Sequence, residues 1–261
     1  MGRWLAHFLR QEGNQVTITG RNQSKLREAR EQLQVETATN IEAAKWAQIV
    51  LLSVSLDSFE TVVKEIAPYT NPKQVIIDIT SIKELPVEVM HRHLKTRLVL
   101  GVHPMFGPSA ESITDHNFVL TPTNEDEKVL AGKVREYLEA KGANVTVMTP
   151  HQHDEMMAVV LGLSHFIGLV SADTLASCDN FDQMKAVSGT TYRLILTLVK
   201  AVISEDPDFY ASLQMSLPNV AEIEGLFGTR VKMWSDLVKK KDRAEFIQRM
   251  NALKDQINQI V

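Results

Sequence analysis

One histidine stands in a context suited to proton transfer. His103 follows the apolar run Leu98–Gly101 and precedes a Pro-Met-Phe-Gly-Pro segment that restricts the backbone. A side chain held at the end of a strand in this way can exchange a proton near neutral pH, because the ordinary imidazole pKa is about 6.5. Other histidines fit helix surfaces or loops: His7, His91, His93 and His116.

Small hydroxyl residues follow two further apolar runs. Ser53 and Ser55 end one of them, and Thr80, Ser81 and Lys83 come after the next. In open α/β sheets, ligands bind outside the carboxyl ends of the strands. Either segment alone would suit an ordinary turn. Together they predict the floor of a cofactor crevice.

A basic side chain follows the first predicted strand. Gly20-Arg21-Asn22 stands where dinucleotide-binding folds usually carry an acid that binds the ribose 2′-hydroxyl of NAD. A guanidinium can pair with a 2′-phosphate instead, so Arg21 and Asn22 predict cofactor contacts and NADP, with NAD as the alternative. The competing interpretation is a solvated turn that leads into a helix capped by Ser24.

The first predicted helix directly follows Gly2. Apolar residues at positions 4, 5, 8 and 9 predict a helix over Arg3–Glu12, which a tight turn connects to the strand Val16–Thr19. Helix, turn and strand make the second half of a dinucleotide-binding unit, in which Gly2 would be the third glycine of G-x-G-x-x-G. We therefore expect a strand upstream of Met1. The alternative is a chain that begins here and fills that position with another element.

Short apolar runs alternate with amphipathic stretches up to Pro150. Their β-branched residues and short length favour strands over helices. The predicted strands are Val16–Thr19, Ile49–Val54, Val75–Asp78, Leu98–Gly101, Phe118–Thr121 and Val145–Met148. The predicted helices are Arg3–Glu12, Lys25–Leu33, Ile41–Ala47, Ser58–Ile66 and Glu125–Lys141. This alternation predicts an α/β fold, a Rossmann-like domain with a mostly parallel sheet that lacks its first strand.

After Pro150 the pattern is helical, so we predict two domains, residues 1–150 and an all-α domain at 151–261. Met156–Ala176 has few charges and predicts a helix buried on most sides. Three further stretches have wide apolar faces: Ile195–Ile203, Ala211–Leu217 and Val220–Phe227. Because a small bundle cannot bury them all, we expect a homodimer through this domain. Closure of all three around the Met156–Ala176 helix within one chain is the alternative.

Composition limits the class of protein. The 261 residues carry 28 basic and 32 acidic side chains, a net charge of −4 that gives no electrostatic case for binding nucleic acid or an anionic membrane. The single Cys178 supplies neither an internal disulfide nor a zinc-cysteine module. No apolar run reaches the roughly 18 residues of a spanning helix, and no signal peptide opens the chain. We expect a cytoplasmic protein.

One cluster near the start of the helical half resembles a metal site. His151, His153 and Asp154 are residue types that bind metal ions. A spacing of two places the two histidines on opposite sides of a helix start, and the sequence offers no evident third ligand. We therefore predict that these residues hold no metal.

The motifs, taken in order, resemble those of the prephenate dehydrogenase family. Met-Gly-Arg at residues 1–3, DITSIK at 78–83 and HPMFGP at 103–108 carry the resemblance, and HPMFGP is the most specific of them. The helical half continues it with HQHD at residues 151–154, LSH at 163–165 and GTTYR at 189–193. The resemblance covers nearly the whole chain, apart from the missing first strand.

The resemblance implies an NAD(P)-dependent oxidative decarboxylation of prephenate, a step of tyrosine biosynthesis. His103 would accept the proton of the substrate hydroxyl, and Ser81 would orient it beside the nicotinamide. Arg193 would bind a substrate carboxylate with its planar guanidinium. The further candidate substrate contacts are His165, Lys83 and Tyr192. The candidate cofactor contacts are Gly2, Arg21, Asn22, Ser53 and Ser55.

Three other functions stay open from the sequence. An amino group on the side chain would make the ring substrate arogenate, and the motifs fit both compounds. A β-hydroxyacid or imine reductase shares the two-domain architecture, but it typically uses a lysine of the helical domain. A truncated relative that binds ligands without turnover is the third.

Overall fold

The protein is described from a computed structural model that covers residues 1–259. Up to Val147, strands and helices alternate. The strands are β1 Thr17–Ile18, β2 Glu36–Thr37, β3 Ile49–Leu52, β4 Val75–Asp78, β5 Val99–Pro104, β6 Asn117–Thr121 and β7 Asn144–Val147. The helices are α1 Gly2–Gln11, α2 Gln23–Leu33, α3 Asn40–Trp46, α4 Leu56–Ile66, α5 Glu84–His93 and α6 Glu125–Glu139. All six predicted strands are present.

Two elements, β2 and α5, were not expected from the sequence. β2 is only two residues long and carries no apolar run. α5 contains Pro86, which as a helix breaker argues against a helix there. Pro86 lies in the first turn, however, where its missing N–H removes no bond within the helix.

Five strands form one sheet in the order β3-β4-β5-β6-β7. Neighbouring strands are parallel except for β5 and β6, which pair antiparallel with His103 opposite Val119. β1 and β2 form a separate parallel pair, in which Thr17 lies opposite Glu36. The prediction of a mostly parallel sheet is confirmed.

Among the described residues, no strand connects the β1–β2 pair to the five-stranded sheet. β1 and β3 therefore each have an unpaired edge. In a dinucleotide-binding sheet, the first strand lies between the two strands that correspond to β1 and β3. The expectation of a strand upstream of Met1 stays a prediction.

Apolar side chains cover both faces of the sheet. Ile76 of β4 belongs to a cluster with Phe59 of α4, whereas its neighbour Ile77 packs against a second cluster that contains Leu100 and Ala131. Successive strand residues point to opposite faces, so the two clusters lie on opposite sides of the sheet. Helices α4 and α5 cover one side, and α1 and α6 cover the other.

The chain folds into two compact units. The first contains residues 1–157 and 205–218, and the second contains residues 158–204 and 219–261. Helix α7, Pro150–Met157, belongs to the first unit, to which it bonds through His153 and Asp154. The division at Pro150 expected from the sequence stays a prediction. Helix α11, Pro207–Ser216, also packs on α4 of the first unit, where Ser212 donates a hydrogen bond to Asp57 at 2.8 Å.

The second unit is helical throughout its described residues, as predicted. Its elements are a π-helical segment Ala158–Leu163, α8 Ser164–Ala176, α9 Phe181–Ala186, α10 Thr190–Ile203, α12 Val220–Lys240 and α13 Arg243–Ile257. α10 packs on α8, and α12 packs on α13 with the rings of Trp234 and Phe246 5.0 Å apart. Much of the apolar surface of this unit is nevertheless exposed within one chain.

The Met156–Ala176 segment is less buried than predicted. Val159 and Val160 are 47% and 49% exposed, because the helices of the second unit do not enclose this segment. The helical run Pro150–Ala176 also meets the length and hydropathy of a membrane-spanning helix, with a mean hydropathy of 1.6 over its most apolar window. The expectation that no stretch reaches that length is therefore wrong, since uncharged polar residues do not lower the mean enough. Length and composition alone are weak evidence for a span.

Gly101 of β5 has no side chain, and this leaves room for the buried side chains packed against it, among them Lys83. A Cβ atom at this position would clash with the Thr121 hydroxyl and lie 3.0 Å from Cδ of Lys83 and from Cγ2 of Val87. All three neighbours are buried and have no free space to move into.

We predict that Gly101→Ala lowers the free energy of unfolding by about 1–3 kcal/mol, the usual cost of overpacking a core. Gly132→Ala is the matched control, because nothing lies within 4 Å of that Cβ and the residue is exposed within α6. It should stabilise the protein by about 0.5–1 kcal/mol. Urea unfolding measures both, and equal stability of Gly101→Ala and the wild type would contradict the packing described.

Candidate active site

His103 lies within β5 and not just beyond it. Its side chain is 5% exposed, and the backbone there pairs with β6. The segment that follows is held by Phe106, whose ring contacts Trp4 at 5.1 Å, His116 at 4.7 Å and Phe118 at 5.4 Å between centroids. Aromatic packing therefore fixes the HPMFGP segment, in addition to its prolines.

A second buried histidine bonds to His103. Nδ1 of His103 lies 2.8 Å from Nε2 of His153, and Nδ1 of His153 lies 2.7 Å from Oδ1 of Asp154. His153 and Asp154 are 0% and 2% exposed. The three side chains form a continuous hydrogen-bonded series. Nε2 of His103 makes no hydrogen bond with a described residue.

Asp154 also binds the start of α5. Its Oδ1 accepts a hydrogen bond from the backbone N–H of Lys83 at 2.7 Å, and its Oδ2 accepts one from Glu84 at 2.9 Å. The first N–H groups of a helix have no partner within the helix, and the helix dipole favours a negative charge at that end. The carboxylate thus satisfies two backbone donors that would otherwise be unpaired.

Lys83 is fully buried beneath the sheet. Its ammonium forms an ion pair with Asp78 and donates a hydrogen bond to the carbonyl of Val102 at 3.0 Å. Burial lowers the pKa of Lys83 and raises that of Asp78, and their mutual attraction opposes both shifts. These contacts correct the expectation that Lys83 contacts substrate, because its charge is already enclosed by protein.

The surroundings of His103 favour a neutral ring. Burial, with smaller contributions from the Lys83 ammonium and from His153, holds the pKa of His103 well below its usual range. A neutral imidazole has a lone pair on one nitrogen and can accept a proton. The site can therefore supply a base at neutral pH.

The predicted cofactor contacts lie at strand ends in the first unit. A Cβ atom on Gly2 would lie 2.8 Å from Oγ of Ser53, so α1 begins in close contact with the end of β3. Arg21 is exposed, and Asn22 caps α2 by accepting a hydrogen bond from the backbone N–H of Lys25 at 3.0 Å. Ser55 shares a hydrogen bond with Ser58 at 2.9 Å.

These residues fit a dinucleotide. The N-cap of α1 offers no side chain to its first N–H groups, so a phosphate can bind there. The exposed guanidinium of Arg21 forms no ion pair with a described residue and is free for a further phosphate. The side chain of Asn22, and not that of Ser24 as in the competing interpretation, caps α2.

The predicted substrate contacts are divided between the units. Ser81 lies half-buried in the loop between β4 and α5, in the same unit as His103. His165 is half-buried in α8, and Tyr192 and Arg193 are at the start of α10 in the second unit. The Arg193 guanidinium is exposed and forms no ion pair with a described residue, whereas the Tyr192 hydroxyl is buried without a hydrogen bond.

His153 and Asp154 are the site residues that sequence reasoning did not identify. It considered them as possible metal ligands and as part of the HQHD motif, and it gave them no role at the site. Residues 1–259 contain no cluster of three or more side chains suited to a metal ion. Their place in the HQHD motif, at the start of a helix, was the signal that the sequence offered. Nothing in the sequence indicates that α7 brings them to β5, fifty positions earlier.

Two family models match the chain in sequence order. The nucleotide-binding domain of prephenate dehydrogenase matches residues 5–147, and the prephenate dehydrogenase dimerization domain matches residues 149–252. Together these matches cover nearly the whole chain. The expected fold class, a Rossmann-like domain followed by a helical domain, is confirmed.

Individual relatives agree with these matches. A curated protein of Methanocaldococcus jannaschii, named probable arogenate/prephenate dehydrogenase, is 36% identical over 254 residues, which are 96% of this chain and 57% of that protein. A T-protein of Enterobacter agglomerans is 28% identical over 206 residues, 78% of this chain and 54% of its own length. The chain therefore spans a little over half the length of these relatives.

A solved structure has the same fold. Prephenate dehydrogenase from Aquifex aeolicus, in complex with hydroxyphenyl propionate and NAD+, superposes with a TM-score of 0.80 at 21% identity. The superposition covers 100% of this chain and 95% of that one. At this level of identity, the likeness shows the fold alone.

We predict that His103 stays neutral when exposed histidines are already protonated. The comparison is with His151, whose pKa is raised by its hydrogen bond to Glu84 and by the charge of Glu155. As pH falls, His151 should take up its proton above the ordinary histidine pKa of about 6.5, and His103 well below it. NMR titration of the ring resonances measures both, with His103→Asn to assign the signal. Protonation of His103 at or above the pH at which His151 is protonated would contradict the burial described.

Proposed function

The chain belongs to the prephenate dehydrogenase family, and from this premise we propose that it catalyses the NAD(P)-dependent oxidative decarboxylation of prephenate to 4-hydroxyphenylpyruvate. The observation that carries this proposal is the buried, neutral His103 within the HPMFGP segment. Arogenate is the second candidate substrate, because relatives of this chain have names that include it. Arogenate differs from prephenate only in its side chain, and the reacting ring is the same.

The reaction needs a proton acceptor beside the ring hydroxyl. As the carbinol carbon loses its hydride, the hydroxyl proton passes to Nε2 of His103 and a carbonyl forms. A bound nicotinamide would supply the acceptor for that hydride. The ring carboxylate then leaves as carbon dioxide, and its bonding electrons make the ring aromatic. His103 returns the proton to the phenolate oxygen, so the proton count balances.

Other residues bind and orient the substrate. We assign to Ser81 a hydrogen bond that orients the substrate hydroxyl toward His103. Arg193 has a free guanidinium and suits a carboxylate, which it can bind through two parallel hydrogen bonds. Tyr192 and His165 are assigned to the substrate pocket as further contacts. Lys83 and Asp78 act from beneath the sheet and do not touch the substrate.

We expect the purified protein to oxidise prephenate or arogenate with at least one of NAD and NADP. His103→Asn should lower kcat by about 10²–10⁴-fold, the usual contribution of a positioned acid or base, and leave KM largely unchanged. His7→Asn, on the exposed face of α1, is the control and should retain wild-type turnover. The absorbance of the reduced nicotinamide measures the turnover of the wild type, of His103→Asn and of His7→Asn. Turnover by His103→Asn at more than a third of the wild-type rate would exclude His103, and no turnover with any substrate and cofactor pair would favour the non-catalytic alternative.

NADP is the proposed cofactor, with NAD as the alternative. Arg21→Asp should shift binding from NADP toward NAD, because a carboxylate repels the 2′-phosphate and can accept a hydrogen bond from the ribose hydroxyl. Arg30→Asp makes the same change of charge at the far end of α2 and should shift the preference little. Calorimetric titration with each nucleotide measures the ratio of dissociation constants. An unchanged ratio in Arg21→Asp would contradict this assignment.

We propose that the helical unit forms a homodimer. The second family model describes a dimerization domain, and apolar side chains on the helices of this unit remain exposed in one chain. The most exposed include Val187 at 84%, Leu194 at 66% and Val238 at 65%. The cytoplasmic location expected from the sequence stays a prediction.

Light scattering should give about twice the single-chain mass of 29.3 kDa at micromolar concentration. Leu194→Lys should shift the mass toward the monomer, because it places a charge on the exposed apolar face of α10. Val129→Lys is the matched control, since Val129 is 63% exposed on α6 of the first unit. A wild-type mass near 29.3 kDa, or equal effects of the two substitutions, would contradict a dimer through the helical unit.

A further inference from the structure

The series that ends on His103 starts at an oxygen whose hydrogen-bonding role is fixed. Oδ1 of Asp154 accepts a hydrogen bond from the backbone N–H of Lys83, and Oδ2 accepts one from Glu84. A backbone N–H can only donate, and an ionised carboxylate can only accept, so neither oxygen has a proton to donate to His153. Nδ1 of His153 lies 2.7 Å from the same Oδ1, and it must therefore carry a proton that it donates.

The tautomer of His153 determines which nitrogen of His103 is protonated. A neutral His153 with its proton on Nδ1 has a lone pair on Nε2. That nitrogen lies 2.8 Å from Nδ1 of His103, which must then be the donor of the bond between the rings. With its single proton on Nδ1, neutral His103 has its lone pair on Nε2, the nitrogen that bonds to no described residue.

The opposite arrangement would need a charged ring. A doubly protonated His153 could donate to His103, which would then carry its proton on Nε2 and offer no lone pair there. This would add a second buried cation to a region that already holds the Lys83 ammonium, which bonds to the carbonyl of Val102, the residue before His103. Burial of an additional charge is costly, so the neutral arrangement is favoured.

We propose that His153 and Asp154 are positioning residues that fix His103 in the Nδ1–H tautomer, with Nε2 as the acceptor of the substrate proton. The choice of tautomer stands on the contacts alone, whereas the identity of that proton rests on the proposed function. Histidine in water favours the Nε2–H tautomer, so the protein must impose the other one. When His103 gains a proton, its bond to His153 becomes charge-assisted and stabilises the imidazolium.

The tautomer can be measured without substrate or cofactor. In protein with 15N-labelled histidine, the protonated and unprotonated ring nitrogens differ strongly in chemical shift, and couplings to the ring protons separate Nδ1 from Nε2. At a pH where His103 is neutral, we expect a protonated Nδ1 and an unprotonated Nε2. The His103→Asn spectrum assigns the signal. A proton on Nε2 of His103 in the wild type would overturn the proposal.

Two substitutions of His153 separate positioning from mere packing. His153→Leu removes the acceptor, and we expect His103 to shift toward the Nε2–H tautomer. His153→Gln keeps one acceptor and one donor in the same series, and should retain the Nδ1–H tautomer. If the proposed function holds, His153→Leu lowers kcat by about 10²–10⁴-fold with little change in KM, and His153→Gln restores most of the loss.

The outcomes separate this proposal from the proposed function. An unchanged His103 tautomer in folded His153→Leu would overturn the positioning role, whatever the enzyme turns over. The expected tautomers in a protein that oxidises no ring substrate would contradict the proposed function and leave the positioning role intact. Should His153→Leu fail to fold, the tautomers of the wild type and of His153→Gln still decide, since either one with a proton on Nε2 contradicts the proposal.

Discussion

The arrangement of the active site depends on one buried carboxylate. Asp154 accepts hydrogen bonds from two backbone N–H groups at the start of α5 and from the ring of His153. It thereby ties the loop after β4 to helix α7, and through His153 it reaches β5 at His103. Removal of this acceptor would leave several buried donors unpaired at once, each at a cost of about 1–3 kcal/mol.

A second buried pair supports the same strand from below. Lys83 and Asp78 neutralise each other beneath β5, and Gly101 is the residue that leaves them space. The Lys83 ammonium bonds to the carbonyl of Val102 and also lowers the pKa of His103. Lys83 therefore links the fold to the chemistry. Its positive charge favours the neutral ring that the proposed reaction requires.

Local patterns in the sequence were sufficient to predict most of the fold. β-branched runs marked the six predicted strands, and the antiparallel β5–β6 pair changed the sheet without changing its class. α5 was missed because Pro86 in a first turn cannot be told from a helix breaker by composition. The bonds from α7 to β5 and to the start of α5 were not predicted, because local periodicity carries no information about contacts between distant parts of the chain.

The sequence is informative about the site where a motif is present. His103 was proposed from its neighbours, Arg21 from its place after a strand, and Arg193 from the GTTYR motif of the resemblance, and their roles stay predictions. Lys83 was assigned to substrate from the resemblance, whereas the structure shows that its side chain is enclosed by protein. His153 and Asp154 act through contacts across about 50 and 70 positions of the chain, which a single sequence does not reveal.

In the proposed reaction, neutral His103 accepts the substrate proton. The most direct measurement is the pH dependence of kcat/KM, which reports ionisations of the free enzyme. The wild type should lose activity only below a midpoint well under the ordinary histidine value of about 6.5, as His103 becomes protonated. The residual activity of His103→Asn should lack this acidic limb. An acidic limb that persists in His103→Asn, or a wild-type midpoint above the ordinary value, would contradict the account.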